Sequence, residues 1–248
     1  MTLADFFQAH PKAALAFSGG VDSAYLLYAA CQLGADVRPY YVKTCFQPDF
    51  EYQDAKRLTH ELGVTMTTVS LPILETPHVR DNPANRCYYC KKAIMEAIGD
   101  AARRDGYFLI LDGTNASDDV DSRPGFLALQ EQGVLSPLRE AGLSKAQIRQ
   151  LSREAGLFTW DKPAYACLAT RIPAGVPITE TALGAIQRGE TALAQLGLRD
   201  FRVRLLGSSA KLQVKAEQME LVIQKRDQIL SALREDFTDV LLDLEARA

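Results

Sequence analysis

Ser18-Gly19-Gly20-Val21-Asp22-Ser23 follows directly on the apolar run Ala13-Ala14-Leu15-Ala16-Phe17. It leads into a segment, Asp22 to about Leu33, in which Tyr25, Leu26, Tyr28 and Ala29 keep helical spacing. A short continuous apolar run that ends in a glycine-rich turn reads as a buried strand. Two adjacent glycines let the backbone turn tightly and let phosphate oxygens approach with no Cβ in the way. The free N–H groups at the start of the helix, and its dipole, then hold an anion. Ser18 and Ser23 add hydroxyl donors, and Asp22 can orient the loop or help hold a magnesium ion. Whatever else the chain does, its first strand, turn and helix are built to receive negative charge.

The same rhythm continues downstream. Val37 to Val42 reads as a second strand, Glu51 to Leu62 as a helix, and Val64 to Val69 as a third strand. Cys90 to about Arg104 reads as a helix and Tyr107 to Leu111 as a fourth strand. Continuous rather than alternating apolar strands, each followed by a helix, predict an α/β fold: a doubly wound parallel sheet covered on both faces. Ligands of such sheets bind beyond the C-terminal strand ends. A further helix spans Ser144 to Ala155, with Ser144 as its N-cap. A segment rich in Pro and Gly, Trp160 to Pro177, then breaks the rhythm. Beyond it come a helix (Glu180–Leu196), two short strands (Phe201–Leu206, Lys211–Val214), a helix (Ala216–Leu233) and a strand (Asp239–Leu244). We therefore expect a main domain over residues 1–165 and a small α+β domain over 166–248 for acceptor binding and oligomerisation.

The glycine-rich loop lacks the lysine of a Walker A motif, and no Rossmann Gly-x-Gly-x-x-Gly is present. Ser-Gly-Gly-Val-Asp-Ser resembles the signature of the PP-loop ATP pyrophosphatases. The resemblance implies ATP, with Mg2+, gripped by its pyrophosphate end, and AMP transferred to a substrate oxygen. Gly113-Thr114-Asn115 closes the fourth strand with a sharp turn and two polar side chains, and fits the same site. Asp118, Asp119 and Asp121, followed by Arg123, are either a solvated acidic loop or a metal or substrate contact.

Cysteine carries the second signal. Arg86-Cys87-Tyr88-Tyr89-Cys90-Lys91-Lys92 opens a helix, where the dipole and neighbouring cations favour an accessible thiolate. The pair reads as a redox couple, a metal site or two structural thiols. A structural zinc site would need four ligands, and there is no second Cys-x-x-Cys. His10, His60 and His78 show no ligand spacing. Cys167 stands alone in the Pro/Gly-rich segment, Cys31 reads as helix packing, and Cys45 carries no assignment.

Taken in order along the chain, four motifs resemble the LarE family over nearly its whole length. They are Ser18 to Ser23, Asn82-Pro83 through Arg86-Cys87-Tyr88-Tyr89-Cys90-Lys91, Asp112-Gly113-Thr114-Asn115-Ala116, and Ala166-Cys167-Leu168-Ala169-Thr170-Arg171-Ile172-Pro173. These are ATP-dependent sulfur transferases that help build a nickel-pincer nucleotide cofactor. The resemblance implies adenylation of a carboxylate of pyridinium-3,5-biscarboxylic acid mononucleotide, with sulfur then displacing AMP. It implies one of two sulfur sources: sacrifice of the side chain matching Cys167, or a [4Fe–4S] cluster on cysteines matching Cys87, Cys90 and Cys167. All three thiols are present, which favours the cluster. Glu190 matches a position near the family's active site and is a candidate catalytic residue with Asp22 and Cys167. Arg202 and Arg204 alternate along a strand, face one side, and suit the acceptor's phosphate. Two places depart from the family pattern: Leu206, where a histidine is expected, and the loop Thr44-Cys45-Phe46-Gln47. The family assembles as oligomers, so a homo-oligomer is expected.

A net charge of −3 offers no footprint for nucleic acid, and no apolar stretch reaches membrane-spanning length. The N-terminus lacks a basic stretch followed by an apolar run, so a cytoplasmic protein is expected, acting on a small nucleotide-like carboxylate with an unassigned sulfur donor. A tRNA-thiolating PP-loop enzyme would need a basic surface or an extra domain. An ammonia-using relative would need no clustered cysteines. A non-catalytic nucleotide sensor would bind ATP and release no pyrophosphate.

Overall fold

The computed structural model describes residues 1–120 and 124–247; Asp121 and Arg123 of the acidic loop lie outside the described residues. The chain divides into two compact units. The first comprises Met1–Val79 and Asn85–Ala164, the second Arg80–Ala84 and Tyr165–Ala248.

In the first unit the order is α1 (Leu3–Ala9), β1 (Lys12–Ala16), α2 (Val21–Gln32), β2 (Asp36–Lys43), α3 (Asp49–Glu61) and β3 (Thr67–Ser70). It continues with α4 (Arg86–Arg104), β4 (Ile110–Leu111), α5 (Pro124–Glu131), α6 (Pro137–Glu140) and α7 (Lys145–Glu154). The strands form one parallel sheet in the order β3-β2-β1-β4. β1 lies between β2 and β4, and its Ala13, Ala14 and Leu15 are buried and apolar, as a strand covered on both faces requires. Alternate residues serve opposite layers. Ala13, Leu15 and Phe17 pack with Leu26 and Leu27 of α2, Leu58 of α3 and Ile148 of α7. Ala14 packs with Tyr40 and Val42 of β2, Met95 and Ile98 of α4, and Leu129 of α5. This is the expected doubly wound, PP-loop-like α/β fold. From β1 the chain winds to β2 and β3 on one side and returns to β4 on the other. The C-terminal end of β1 is therefore the topological switch point, where an open parallel sheet leaves a crevice.

Within this agreement, details differ. The fourth strand is reduced to Ile110–Leu111, because Phe108 points into solvent; pairing begins where Ala14 donates its N–H to the Leu109 carbonyl at 2.8 Å. The cysteine helix begins at Arg86, four residues ahead of Cys90. The short helix α1, unexpected from the sequence, is fixed by a reciprocal capping box between Thr2 and Asp5.

In the second unit, α8 (Glu180–Gln195) is followed by β5 (Arg202–Leu206), β6 (Ser209–Gln213), α9 (Met219–Gln224), α10 (Arg226–Leu233) and β7 (Val240–Leu242). β5 and β6 form a hairpin, and β7 joins β6 in parallel. The segment expected as a single helix breaks at Lys225, which caps both α9 and α10. Buried Val222, Ile229 and Leu233 keep helical spacing across the break, so periodicity reads through it. Buried Asn82, at φ 53°, ties the strap 80–84 into this unit. Its amide donates to the carbonyls of Pro173 at 2.8 Å and Val176 at 3.1 Å, and its own carbonyl accepts from Gly175 N–H at 2.8 Å. Among the described residues, no helix is long and apolar enough to cross a membrane.

Two glycines of α8 separate packing from propensity. A Cβ on Gly189 would lie 2.7 Å from Leu233 Cδ2, whereas one on Gly184 would meet only the far end of the Arg188 side chain at 3.2 Å. Gly189→Ala should cost about 1–3 kcal/mol through overpacking, and Gly184→Ala should add about 0.5–1 kcal/mol. Urea denaturation of both variants checks this; equal effects would mean that α8 does not pack as closely as described.

Candidate active site

The turn after β1 is held by its own side chains. Ser18 N–H and Oγ reach Ser23 Oγ at 3.4 and 3.2 Å, Ser23 Oγ donates to the Gly20 carbonyl at 3.2 Å, and Gly20 N–H reaches Ser18 Oγ at 3.4 Å. The two glycines do different work. Gly19 sits at φ +72°, and a Cβ there would lie 3.1 Å from Ala55 Cβ, so it is required by the backbone and by α3. Gly20 has an ordinary φ of −78°, and a Cβ there would meet only Ser18 Oγ at 3.4 Å. The space beside Gly20 is thus open, as a phosphate cradle requires. Gly20 is also the N-cap of α2 and supplies no side chain to cap it, leaving the first-turn amides to an anion.

Around this turn the first unit gathers a polar shell. Asp22 accepts from Lys145 Nζ at 2.5 Å and from Asn115 Nδ2 at 3.4 Å. Gly113 lies so close to α2 that a Cβ would approach Ser23 N to 3.0 Å, which brings the turns after β1 and β4 together at the switch point. Buried Asp112 accepts from Ser136 Oγ at 2.7 Å and from Thr114 N–H at 3.1 Å, fixing that second turn. Asp118 closes the turn of buried Asn115 by accepting its N–H at 3.0 Å. Sequence reasoning missed Lys145, and it quoted Asp112 only as part of a motif, without a role. A lysine as the first residue of α7 opposes the helix dipole, and that anomaly was the available signal.

Cys87 and Cys90 stand one turn apart in the first turn of α4, the former exposed and the latter partly buried. Buried Arg86 lies over the Phe46 ring at 5.8 Å and reaches Cys87 Sγ at 3.7 Å. α5 packs on the same turn, since a Cβ on Gly125 would sit 3.5 Å from the Cys87 carbonyl. Tyr88 donates to Glu131 at 2.7 Å, and that bond, before any burial, holds its hydroxyl above the usual phenol range. Burial pushes the Cys31 thiol up, consistent with packing. The loop carrying Cys45 is tied by Thr44 and Gln47, with Thr44 Oγ1 donating to Gln47 Oε1 at 2.7 Å. Among the described residues no cysteine is joined in a disulfide. Among the described residues no group of three His, Cys, Asp or Glu side chains is placed to hold a metal ion.

In the second unit Cys167 caps a 3₁₀ turn, Leu168–Arg171. Arg171 and Glu190 are both buried and form a bidentate pair at 2.8 and 3.1 Å. Glu190 also accepts from Val203 N–H at 3.0 Å and from the Tyr165 hydroxyl. Burial, then the charge of Glu190, raise the Tyr165 hydroxyl well above the phenol range. Arg202 and Arg204 alternate on β5 as expected. Burial, and then the like charges of Arg171 and Arg247, push the Arg202 guanidinium below its usual range. Asp200 offsets this charge, lying 3.6 Å from Arg202, 3.4 Å from Lys215 and 3.0 Å from Arg247. Arg204 donates to the Thr170 carbonyl at 3.1 Å and to Gln213.

The fold and the glycine turn at its switch point define a PP-loop-like α/β protein. No protein-family model matches the chain. It is 36% identical over 250 residues to an uncharacterized protein of Synechocystis sp., covering 98% of this chain and 92% of that one. It is 31% identical over 236 residues to the pyridinium-3,5-bisthiocarboxylic acid mononucleotide synthase of Lactiplantibacillus plantarum, covering 94% and 86%. An uncharacterized protein of Methanocaldococcus jannaschii is 24% identical over 235 residues, covering 94% and 90%. The chain belongs to the LarE family, that of the Lactiplantibacillus synthase.

The division of labour between the glycines is testable. Gly19→Ala should lose more than about 1 kcal/mol, because the new side chain is strained at positive φ and meets α3. Gly20→Ala should stay within about 0.5 kcal/mol. Urea denaturation decides, and an equal loss at both positions would contradict the assignment.

Proposed function

We propose that the chain is an ATP-dependent sulfur transferase that turns a carboxylate of pyridinium-3,5-biscarboxylic acid mononucleotide into a thiocarboxylate, in the synthesis of a nickel-pincer nucleotide. The observation that carries this reading is the uncapped start of α2 with open space at Gly20, in a relative of a synthase named for the bisthiocarboxylic product. A carboxylate is a poor electrophile. Attack of its oxygen on the α-phosphorus of ATP releases pyrophosphate and leaves an acyl-adenylate, and sulfur attack on that carbonyl then expels AMP.

In this reading the first-turn amides of α2, with Ser18 and Ser23, hold the phosphates. Lys145 adds the positive charge that a Walker lysine supplies elsewhere, and Asp22 orients Lys145 or shares in holding Mg2+. Thr114 and Asn115 complete the nucleotide side. Arg202 and Arg204 meet the acceptor's phosphate. Cys87, Cys90 and Cys167 would be the thiolates that hold a [4Fe–4S] cluster, which would supply sulfur without consuming a side chain. Cys167 is also the one thiol of the second unit, and that placement keeps sacrifice of Cys167 as the second reading.

Anaerobically purified protein, given ATP, Mg2+ and the dicarboxylate, should release pyrophosphate and form a thiocarboxylate. Asp22→Ala and Gly20→Val should each abolish release while the protein stays folded. Normal release by both variants would sink the nucleotide assignment. Iron and sulfide analysis, with the mass of the chain after turnover, separates the sulfur sources. Iron with an unchanged Cys167 supports the cluster; a chain lighter by hydrogen sulfide, with dehydroalanine at position 167, refutes it.

A further inference from the structure

Glu190 is expected near the chemistry, yet its surroundings give it another task. A carboxylate has about four acceptor positions. Oε1 takes Arg171 Nε at 2.8 Å and Val203 N–H at 3.0 Å; Oε2 takes Arg171 Nη2 at 3.1 Å and the Tyr165 hydroxyl. An acid or base of the reaction needs one of those positions for the substrate proton, and here each already has a donor. Stability does not explain the arrangement either, because a buried ion pair is often no better than an apolar pair of the same size.

What the pair does hold is the peptide of Cys167. The third nitrogen of Arg171 donates to the Ala166 carbonyl at 2.8 Å and to Thr170 Oγ1 at 2.9 Å, and lies 3.4 Å from the Cys167 carbonyl. That carbonyl also accepts from Thr170 N–H at 2.9 Å and Thr170 Oγ1 at 2.8 Å. Tyr165, two residues ahead of the cysteine, is fixed through its hydroxyl, and its ring lies 4.7 Å from the Arg171 guanidinium and 5.3 Å from that of Arg202. The clamp therefore grips the chain on both sides of Cys167 and touches the arginine assigned to the acceptor. Its anchor is rigid, since Glu190 follows Gly189, where α8 is closest to Leu233.

We propose that Glu190, Arg171 and Tyr165 are positioning residues that fix the direction of the Cys167 thiol, and that Glu190 exchanges no proton with the substrate. The proposal rests on the reading that Cys167 handles sulfur, but its test does not need turnover. Orientation at a reacting centre is worth large factors in rate, and misplacement by about 1 Å can lose on the order of 100-fold.

The test is the rate of iodoacetamide alkylation at each cysteine of the protein purified in air, resolved by peptide mass spectrometry. In folded Glu190→Gln, Cys167 should alkylate faster than in the wild type while Cys87 and Cys90 keep their rates. kcat for thiocarboxylate formation should fall, with KM for ATP unchanged. A folded Glu190→Gln protein whose Cys167 alkylates at the wild-type rate overturns the proposal; if its kcat has nevertheless collapsed, Glu190 acts on the substrate itself. Should Glu190→Gln not fold, Tyr165→Phe removes a single bond and should shift Cys167 in the same direction; no shift there overturns it equally. Faster alkylation in a protein that makes no pyrophosphate would keep the clamp and reject the functional reading.

Discussion

A strand buried on both faces cannot turn into its covering helix with bulky side chains in the way, and this constraint at the end of β1 organises the first unit. Ala13, Leu15 and Phe17 belong to one layer and Ala14 to the other. The chain leaves β1 through Gly19, whose positive φ and close contact with Ala55 disfavour any side chain. Because the sheet reverses its winding on either side of β1, the start of α2 faces the crevice at the switch point. The topology thus delivers amides without a side-chain cap, and a helix dipole, where the sheet leaves room. The remaining residues refine this. Lys145 and Asn115 hold Asp22, and Asp112 fixes the turn that carries Thr114.

The second unit works by a different principle. Its polar centre is buried, and there the geometry of charged groups is enforced by mutual satisfaction. Arg171 and Glu190 are complementary in shape as well as in charge, with a planar fork against a carboxylate. Asp200 meets three cations, Arg202, Lys215 and Arg247.

The parts legible in the sequence are those whose cause is local. The apolar run, the glycine turn and the helical spacing behind it lie within a few residues of one another, and they yield the fold class and the strand–turn–helix at the switch point. The paired thiols of α4 are equally local. Contacts between distant segments are not legible in this way. Asp22 and Lys145 are 123 residues apart, and Arg171 and Glu190 are 19 apart on a loop and a helix that meet only in the folded unit. Arg171 was visible only as one member of a motif, and Glu190 entered through family resemblance without its partners. Asn82 looks like an ordinary loop residue until its amide is seen to hold the carbonyls of Pro173 and Val176. The break at Lys225 was hidden for the opposite reason, because the apolar period continues across it.

The central claim is that the start of α2 holds the phosphates of ATP. It is tested most directly by a crystal structure with an ATP analogue carrying a methylene between the α- and β-phosphates. The account predicts β- and γ-phosphate oxygens at about 3 Å from the first-turn amides of α2, with Lys145 drawn from Asp22 toward the phosphates. A triphosphate bound elsewhere on the protein, with the turn at Gly19 and Gly20 empty, would contradict it.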